Sequence, residues 1–298
     1  MVSPLNQEPD NFDAVNADNA TQEKRHRFAA NRQNIMLLEN KNAVIYGAAG
    51  AVGATVASAF AREGARVFLT GRNPHALNRI AEEIRAAGGA AESAEVDALD
   101  EHAVTSHLDG VIDKATTIDI SFNAIGIKQN GIQGTPLTEL ALENFAWPIN
   151  TYAQAHFLTA RAAARHMIAQ KSGVILMHTP EPARLGIPLV GGMSPAWAAM
   201  EALNRAFSAE WAPHGVRAVC LRTTGMEETP EIDVVYGLHA KAYGITVQEF
   251  AATMAGNSQR KRATTLAELA EVAVFVASDR AAAMTGTVAN LTGGVIVD

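Results

Sequence analysis

Apolar segments of strand length alternate with helical segments from Asn42 to the end of the chain, and this alternation restricts the fold more than any other feature. The strand-like segments are continuously apolar, which is typical of strands buried on both faces. They occupy residues 43–47, 65–71, 90–96, 117–123, 173–178, 216–222 and 287–291. Helical stretches lie between them, near 52–63, 74–87, 100–113, 138–170, 195–212 and 265–278. The pattern predicts an α/β fold, a doubly wound parallel sheet of about seven strands with helices on both faces.

Two regions stand apart from this alternation. Residues 1–38 are predicted to be an acidic flexible arm that ends in a short amphipathic helix from Lys24 to Leu38. The acidic part is too poor in apolar residues to offset the entropy of ordering it. Residues 39–298 are predicted to form one domain. Within this domain, residues 229–262 contain glycines between helical pieces, and we expect them to form a lid over the carboxyl ends of the strands.

The composition excludes several classes of partner. A net charge of −7 argues against nucleic acid or an anionic membrane, because both attract basic surfaces. No apolar run reaches the roughly 18 residues of a membrane-spanning helix, and the first residues resemble no secretory signal, so we expect a cytoplasmic protein. The single cysteine, Cys220, excludes an internal disulfide, and the scattered histidines make a metal site improbable. A small molecule is the partner that remains.

A glycine-rich turn follows the first strand and leads directly into a helix. It reads Gly47-Ala48-Ala49-Gly50-Ala51-Val52-Gly53. Glycines at such spacing allow a tight turn, a close approach of the backbone to a pyrophosphate, and close packing of the helix on the strand. The helix N-terminus then presents unpaired N–H groups to the anion. We therefore predict that a dinucleotide binds to Gly47, Ala49, Gly50, Ala51, Val52 and Gly53.

The end of the second strand indicates which dinucleotide is preferred. A site for NAD(H) usually carries a carboxylate here for the ribose 2′-hydroxyl, but no acidic residue follows Thr70 until Glu82. Arg72 instead offers a guanidinium suited to a 2′-phosphate. The sequence therefore predicts that NADP(H) is preferred over NAD(H).

From about residue 40 onward the chain resembles the short-chain dehydrogenase/reductase family. The similar motifs are the glycine loop, Thr70-Gly71-Arg72, Val96-Asp97, Phe122-Asn123-Ala124-Ile125-Gly126, Asn150, residues 209–219 and residues 278–294. The loop resembles the GxxGxxG variant of that family. The resemblance implies a Rossmann-type fold with strand order 3-2-1-4-5-6-7 and cofactor contacts from Asp97, Asn123 and Gly126. It also implies a homotetramer or homodimer.

The residues that usually perform the family's chemistry are missing. Pro180, Met193 and Trp197 occupy the positions of the family's Ser, Tyr and Lys, and only Asn150 remains. In the family the lysine lowers the pKa of the tyrosine from its usual value near ~10, so that the phenol can pass a proton at neutral pH. Methionine has no such proton. An enone or an iminium would need less help from an acid than a ketone.

His178 is the predicted substitute for proton transfer. It lies two residues before Pro180, on the same side of a strand, and imidazole titrates near neutral pH. The alternative interpretation is a histidine bound to a neighbouring group. Glu181 is expected to be a surface carboxylate and Tyr152 a packing residue. The lid residues Tyr236, His239, Lys241 and Tyr243 can reach the pocket only if the lid closes.

Three functions are compatible with these residues. The first is an NADP(H)-dependent oxidoreductase with an unusual active site that transfers hydride to or from a ketone, enone or iminium. The second is a catalytically silent NADP(H)-binding sensor or scaffold. The third is a non-redox isomerase or cyclase on the same fold. The sequence identifies neither the substrate nor the direction of the reaction.

Overall fold

The computed structural model describes residues 36–297, which contain a seven-stranded sheet surrounded by helices. The strands are β1 (Asn42–Tyr46), β2 (Arg66–Gly71), β3 (Ala90–Glu95), β4 (Ile120–Asn123), β5 (Gly173–Pro180), β6 (Val216–Thr223) and β7 (Thr287–Leu291). The α-helices are α1 (Ala51–Arg62), α2 (Pro74–Ala86), α3 (Glu101–Ala115), α4 (Leu142–Gln170), α5 (Met193–Trp211), α6 (Pro230–Tyr243), α7 (Val247–Asn257) and α8 (Leu266–Ala277). The predicted acidic arm, and all but the end of the helix predicted to follow it, lie outside the described residues.

All neighbouring strands pair in parallel, in the order β3-β2-β1-β4-β5-β6-β7. This order confirms the predicted Rossmann-type sheet. The strand order reverses at β1, whose last residue, Tyr46, pairs with Thr70 of β2 on one side and Asn123 of β4 on the other. In such sheets ligands bind beyond the carboxyl ends of the strands, at the point of reversal.

Alternate residues of the central strands, such as β1 and β5, pack into two separate cores, which explains why these strand sequences are mostly apolar. In β5, Val174 and Leu176 belong to the core beneath α1 and α8, whereas Ile175 and Met177 belong to the core beneath α4 and α5. Side chains at successive strand positions point to opposite faces. Both faces of the sheet are thus covered by helices, as predicted.

Several helix ends match signals in the sequence. The Asn73 side chain accepts from the backbone N–H of Ala76 at the start of α2, and Asp100 caps α3 in the same way. Gly215 caps the helical turn before β6 with a φ of +83°, and a Cβ there would lie 2.1 Å from the Lys171 carbonyl oxygen. Such a cap favours glycine because other residues are strained at positive φ.

The fourth helix was predicted to begin near residue 138, but it begins at Leu142. The preceding residues form a separate turn, in which the backbone N–H groups of Glu139 and Leu140 donate to the Pro136 carbonyl. The residues before this turn form a loop between β4 and α4 whose side chains Gln129 and Gln133 are buried.

Helices α6 and α7 form the predicted lid region between β6 and α8. The Tyr236 and His239 rings of α6 each lie 5.2 Å from the Phe250 ring of α7, measured between centroids. His239 Nε2–H also donates to the Gln133 amide oxygen at 3.0 Å, which joins α6 to the loop before α4. Between residues 36 and 297, no helix has the length and apolar character needed to span a membrane.

Candidate cofactor site and active site

The glycine loop joins β1 to α1 where the strand order reverses. Gly47 has a φ of +71°, and a Cβ there would lie 2.6 Å from the Ala124 carbonyl oxygen. A Cβ on Gly53 would lie 2.5 Å from the carbonyl oxygen of Gly47. Each of these contacts is shorter than a real Cβ allows, so the turn and the close packing of α1 both require glycine. These are the roles that first and third glycines have in dinucleotide-binding loops.

The N-terminus of α1 has the features that an anion needs. Its N-cap residue, Gly50, makes no side-chain hydrogen bond to the helix, and the first turn contains no acidic residue. Backbone N–H groups in a first helical turn lack partners within the helix. Ala49, Ala51 and Val52 are each partly exposed at this end. The loop and the helix therefore fit the pyrophosphate of a dinucleotide.

The remaining predicted cofactor residues follow the ends of β2, β3 and β4. Arg72 is exposed directly after β2. Asp97 is half-buried after β3, and its Oδ1 accepts from the Leu99 backbone N–H at 3.0 Å. Gly126 is exposed beyond β4, and a Cβ there would meet no atom within 4 Å. The three residues thus line the same edge of the sheet as the glycine loop.

Asn123 differs from the other predicted cofactor residues, because the protein already uses its side chain. Its Nδ2 donates to Thr159 Oγ1 at 2.9 Å, and its Oδ1 accepts from the Ile125 backbone N–H at 3.1 Å. The side chain is buried and connects β4 to α4. These bonds hold the amide within the protein, and the cofactor contact of Asn123 stays a prediction. Asn123 shapes the loop that follows β4.

Pro180, Met193 and Trp197 lie at the end of β5 and the start of α5. Met193 is fully buried in the core beneath α4 and α5, and Trp197 packs against the same core. The Trp197 indole and the Ile127 backbone N–H face the Tyr152 hydroxyl. Burial raises the pKa of that hydroxyl well above its usual value, and these two donors lower it only in part. Tyr152 is therefore a neutral, buried packing residue.

The two predicted catalytic residues differ in their surroundings. Asn150 is exposed on α4. His178 lies at the end of β5, where its Nε2 is 2.9 Å from Thr223 Oγ1 of β6. Burial, with a smaller effect of His156, lowers the pKa of His178 to about 4. The imidazole is therefore uncharged at neutral pH, and its acid–base role stays a prediction.

Glu181 was expected at the surface, and that expectation is wrong. It begins a single turn of 3₁₀-helix, Glu181–Ala183, directly after β5, and it is only 3% exposed. Burial raises its pKa to about 7, although the backbone N–H groups of Glu181 and Gly225 act in the opposite direction. Its Oε2 is buried without a hydrogen-bond partner among residues 36–297. A carboxyl group that titrates near neutral pH thus lies next to Pro180, which the sequence analysis assigns to the family's Ser position.

A buried ion pair lies at this end of the sheet, and it was not predicted from the sequence. Arg222 of β6 donates to both carboxylate oxygens of Glu201 on α5, at 2.8 and 2.6 Å. Thr179 of β5 donates to the same carboxylate at 3.0 Å. A two-pronged Arg–carboxylate pair fixes geometry as well as charge. The pair therefore joins α5 to β5 and β6 below the candidate active site.

The chain is similar to known dehydrogenases and reductases over most of its length. A family model described as Enoyl-(Acyl carrier protein) reductase matches residues 47–296. An uncharacterised oxidoreductase of Bacillus subtilis is 31% identical over 259 residues, which cover 87% of this chain and 92% of the relative. Gluconate 5-dehydrogenase of Gluconobacter oxydans is 27% identical over 264 residues, covering 87% and 96%.

Solved structures give the same result. A xylitol dehydrogenase with bound NAD⁺ matches with a TM-score of 0.81 and 25% identity, covering 86% of this chain and 99% of that one. A Beutenbergia cavernae protein, provisionally described as an NAD(P)-dependent gluconate 5-dehydrogenase and containing NADP at low occupancy, matches with a TM-score of 0.77 and 26% identity. The coverage is 88% of this chain and 99% of that protein. Similar proteins therefore hold either nicotinamide dinucleotide.

Proposed function

The chain belongs to the short-chain dehydrogenase/reductase family of oxidoreductases, and from that premise we propose that it is an NADP(H)-dependent enzyme with a non-standard active site. The observation that carries the proposal is the junction of β1 and α1. There the contacts of Gly47 and Gly53 require glycine, and the helix N-terminus is open to an anion. That junction binds pyrophosphate in dinucleotide-binding folds.

The choice of NADP(H) rests on Arg72. It follows β2 directly, where an NAD-preferring site would hold a carboxylate, and its guanidinium is exposed. A guanidinium binds a phosphate through two parallel hydrogen bonds. We assign the 2′-phosphate to Arg72, the pyrophosphate to the first turn of α1, and the adenine end to Asp97.

When bound, the cofactor supplies or accepts a hydride at its nicotinamide ring. The protein residues have to bind the substrate, exclude water and move a proton. The names of similar proteins include gluconate 5-dehydrogenase, xylitol dehydrogenase and D-threitol dehydrogenase, all of which indicate small alcohols or their carbonyl products. We therefore propose a small organic substrate that exchanges a hydride, with ketones, enones and iminium ions as the candidate classes.

A second candidate function is a catalytically silent NADP(H)-binding protein. It is favoured by Met193, which is fully buried at the position of the family's catalytic tyrosine and carries no proton to transfer. Trp197, at the lysine position, brings no charge to the site. In this alternative the dinucleotide would act as a signal or as a structural element. The two functions differ in turnover and not in cofactor binding.

Calorimetric titration with NADPH and with NADH tests the cofactor assignment. We expect tighter binding of NADPH than of NADH, because only NADPH carries the phosphate for Arg72. Arg72→Glu should weaken NADPH binding by at least about tenfold, corresponding to about 1.4 kcal/mol, and should leave NADH binding nearly unchanged. Arg79→Glu, an exposed change on α2, is the matched control. Equal losses for both cofactors would remove the argument for the 2′-phosphate.

We also propose that the protein forms a homodimer or homotetramer. Two large side chains of α4 are exposed in the single chain, Trp147 at 45% and Phe157 at 41%. Exposed aromatic residues of this kind are enriched in interfaces between subunits. Sedimentation equilibrium checks the prediction, and a monomer at micromolar concentration would contradict it.

A further inference from the structure

Glu181 is a buried carboxyl group at the carboxyl end of the sheet, and its burial needs an explanation. It is 3% exposed, and burial dominates its titration, with no cation from residues 36–297 among the groups that stabilise its charge. The nearest buried carboxylate on α5, Glu201, is paired with Arg222 and so follows the usual rule for buried charges. A buried carboxyl group that lacks such a pairing destabilises the fold, and groups of this kind are concentrated in functional sites.

Two neighbours place Glu181 under the lid. Gly225 follows β6, and its backbone N–H faces the Glu181 carboxyl. The Tyr236 hydroxyl of α6 is close to the same glycine. A Cβ on Gly225 would lie 3.0 Å from the hydroxyl oxygen. Tyr236 is itself 5% exposed, and the charges of Glu181 and Glu227 reinforce the effect of burial in raising its pKa. A carboxyl and a phenol thus flank one glycine, where the ends of β5 and β6 meet the lid.

We propose that Glu181 is a catalytic residue that exchanges a proton with the substrate oxygen, and that the Tyr236 hydroxyl positions that oxygen. The inference rests on the proposed oxidoreductase function and deepens it. It names Glu181 as the source of the proton that neither Pro180 nor Met193 can supply. It also selects among the substrate classes, because a ketone or its secondary alcohol needs a proton at oxygen, whereas an iminium ion does not.

The proposed step balances in both directions. In reduction, a hydride from NADPH forms a C–H bond at the carbonyl carbon, and the nicotinamide is oxidised. The O–H bond of the Glu181 carboxyl breaks as its proton passes to the substrate oxygen, which leaves a carboxylate and an alcohol. In oxidation the carboxylate takes the hydroxyl proton while the hydride leaves to NADP⁺. Solvent returns Glu181 to its starting state after each turnover.

With the titratable groups that surround it, the Glu181 carboxyl gains or loses its proton near neutral pH. On β5, His178 is uncharged at neutral pH. On α6, burial keeps the Tyr236 phenol protonated, and in the loop after β6 the exposed Glu227 adds a negative charge. On α5, the buried carboxylate of Glu201 is paired with Arg222 of β6. Reduction should therefore slow as pH rises above about 7, and oxidation should accelerate, because each direction needs one form of the carboxyl group.

A spectroscopic test needs neither a substrate nor a cofactor. In protein labelled with ¹³C at the glutamate carboxyl groups, we expect one resonance to titrate near neutral pH and to vanish in Glu181→Gln. Glu227→Gln, which changes an exposed carboxyl beside the same loop, should retain that resonance. If no glutamate titrates between about pH 6 and 8, or if the resonance survives in Glu181→Gln, the proposal is overturned.

A kinetic test uses 2,3-butanedione with NADPH and xylitol with NADP⁺ as probes. Glu181→Gln should lower kcat by at least about 10²-fold for both and leave the affinity for NADPH unchanged. Glu181→Asp, which keeps the carboxyl group, should retain part of the activity and covers the case in which Glu181→Gln does not fold. Tyr236→Phe should raise KM more than it lowers kcat.

The outcomes separate the two proposals. If the wild type binds no NADPH, the proposed function fails, while the carboxyl titration still reports on Glu181. If the wild type turns over the probes and Glu181→Gln does so at the same rate, the function stands and the role of Glu181 is overturned. If the protein binds NADPH and turns over neither probe, the assignment to carbonyl and alcohol chemistry is overturned.

Discussion

Replacing Glu181 by glutamine should make the protein more stable at neutral pH, with an effect that depends on pH. Burial raises the pKa of the folded carboxyl from 4.5 to about 7. One pKa unit corresponds to about 1.4 kcal/mol, so the ionised side chain destabilises the folded protein by about 3 kcal/mol. Glutamine has a similar shape and cannot ionise, and it therefore avoids this cost.

The direction of the pH dependence follows from proton binding. Between about pH 4.5 and 7 the folded protein holds a proton on Glu181 that the unfolded chain has released, so the free energy of unfolding of the wild type falls as pH rises. This loss is complete once pH exceeds the folded pKa. The difference between Glu181→Gln and wild type should therefore grow by about 3 kcal/mol in favour of the variant from about pH 4.5 to 8.

Urea unfolding measured across that pH range provides the assay, with circular dichroism as the signal. Glu227→Gln removes an exposed carboxyl near the same loop and should show no comparable change with pH. A difference between Glu181→Gln and wild type that stays constant over the whole range would refute the argument. It would mean that Glu181 ionises in the folded protein as easily as in the unfolded chain.

Three further predictions concern the loop, the strand end and the ion pair. Gly53→Val should abolish NADPH binding in calorimetry while the far-ultraviolet spectrum stays helical, because its Cβ would meet the Gly47 carbonyl oxygen at 2.5 Å. His178→Asn should leave the pH profile of turnover unchanged, because His178 is already uncharged above about pH 5. A displaced profile would support the acid–base role predicted for His178. Glu201→Gln should lower the free energy of unfolding by about 3 kcal/mol, because it weakens the buried pairing of Arg222, and a loss below about 1 kcal/mol in urea unfolding would contradict that value.

The sheet and the glycine-rich loop could be predicted from sequence because their signals are local. The central strands are mostly apolar segments, and the order of strand, glycine turn and helix at residues 42–62 is contiguous in the chain. The strand order followed from the family resemblance and is confirmed. Gly47 and Gly53 were predicted for reasons that the backbone contacts now explain.

The surroundings of Glu181 and His178 could not be predicted, because they depend on distant parts of the chain. Glu181 is a single polar residue between two prolines, and what buries it includes the loop after β6 and a helix that begins at Pro230. His178 acquires its partner, Thr223, from a strand 45 residues later. No periodicity near either residue reports these contacts, so an exposed glutamate and a titrating histidine were the natural expectations from sequence.

The contact between Tyr152 and Trp197 shows that a packing role can be predicted from sequence although the neighbouring residue cannot. Helical spacing correctly indicated a packing role for Tyr152, because that inference needs only the direction of a side chain on its own helix. The identity of its neighbour depends on how α4 meets α5. The structure brings the Trp197 indole against this hydroxyl.

The most direct test of the central claim is a single-turnover measurement of hydride transfer. The protein saturated with NADPH is mixed with 2,3-butanedione, and the nicotinamide absorbance is followed while the alcohol product is identified. We expect stoichiometric oxidation of NADPH, at a rate that falls as pH rises above about 7, although Met193 and Trp197 stand at the positions predicted for the family's tyrosine and lysine. Tight NADPH binding with no oxidation by this or any other carbonyl probe would contradict the claim and leave a cofactor-binding protein without turnover.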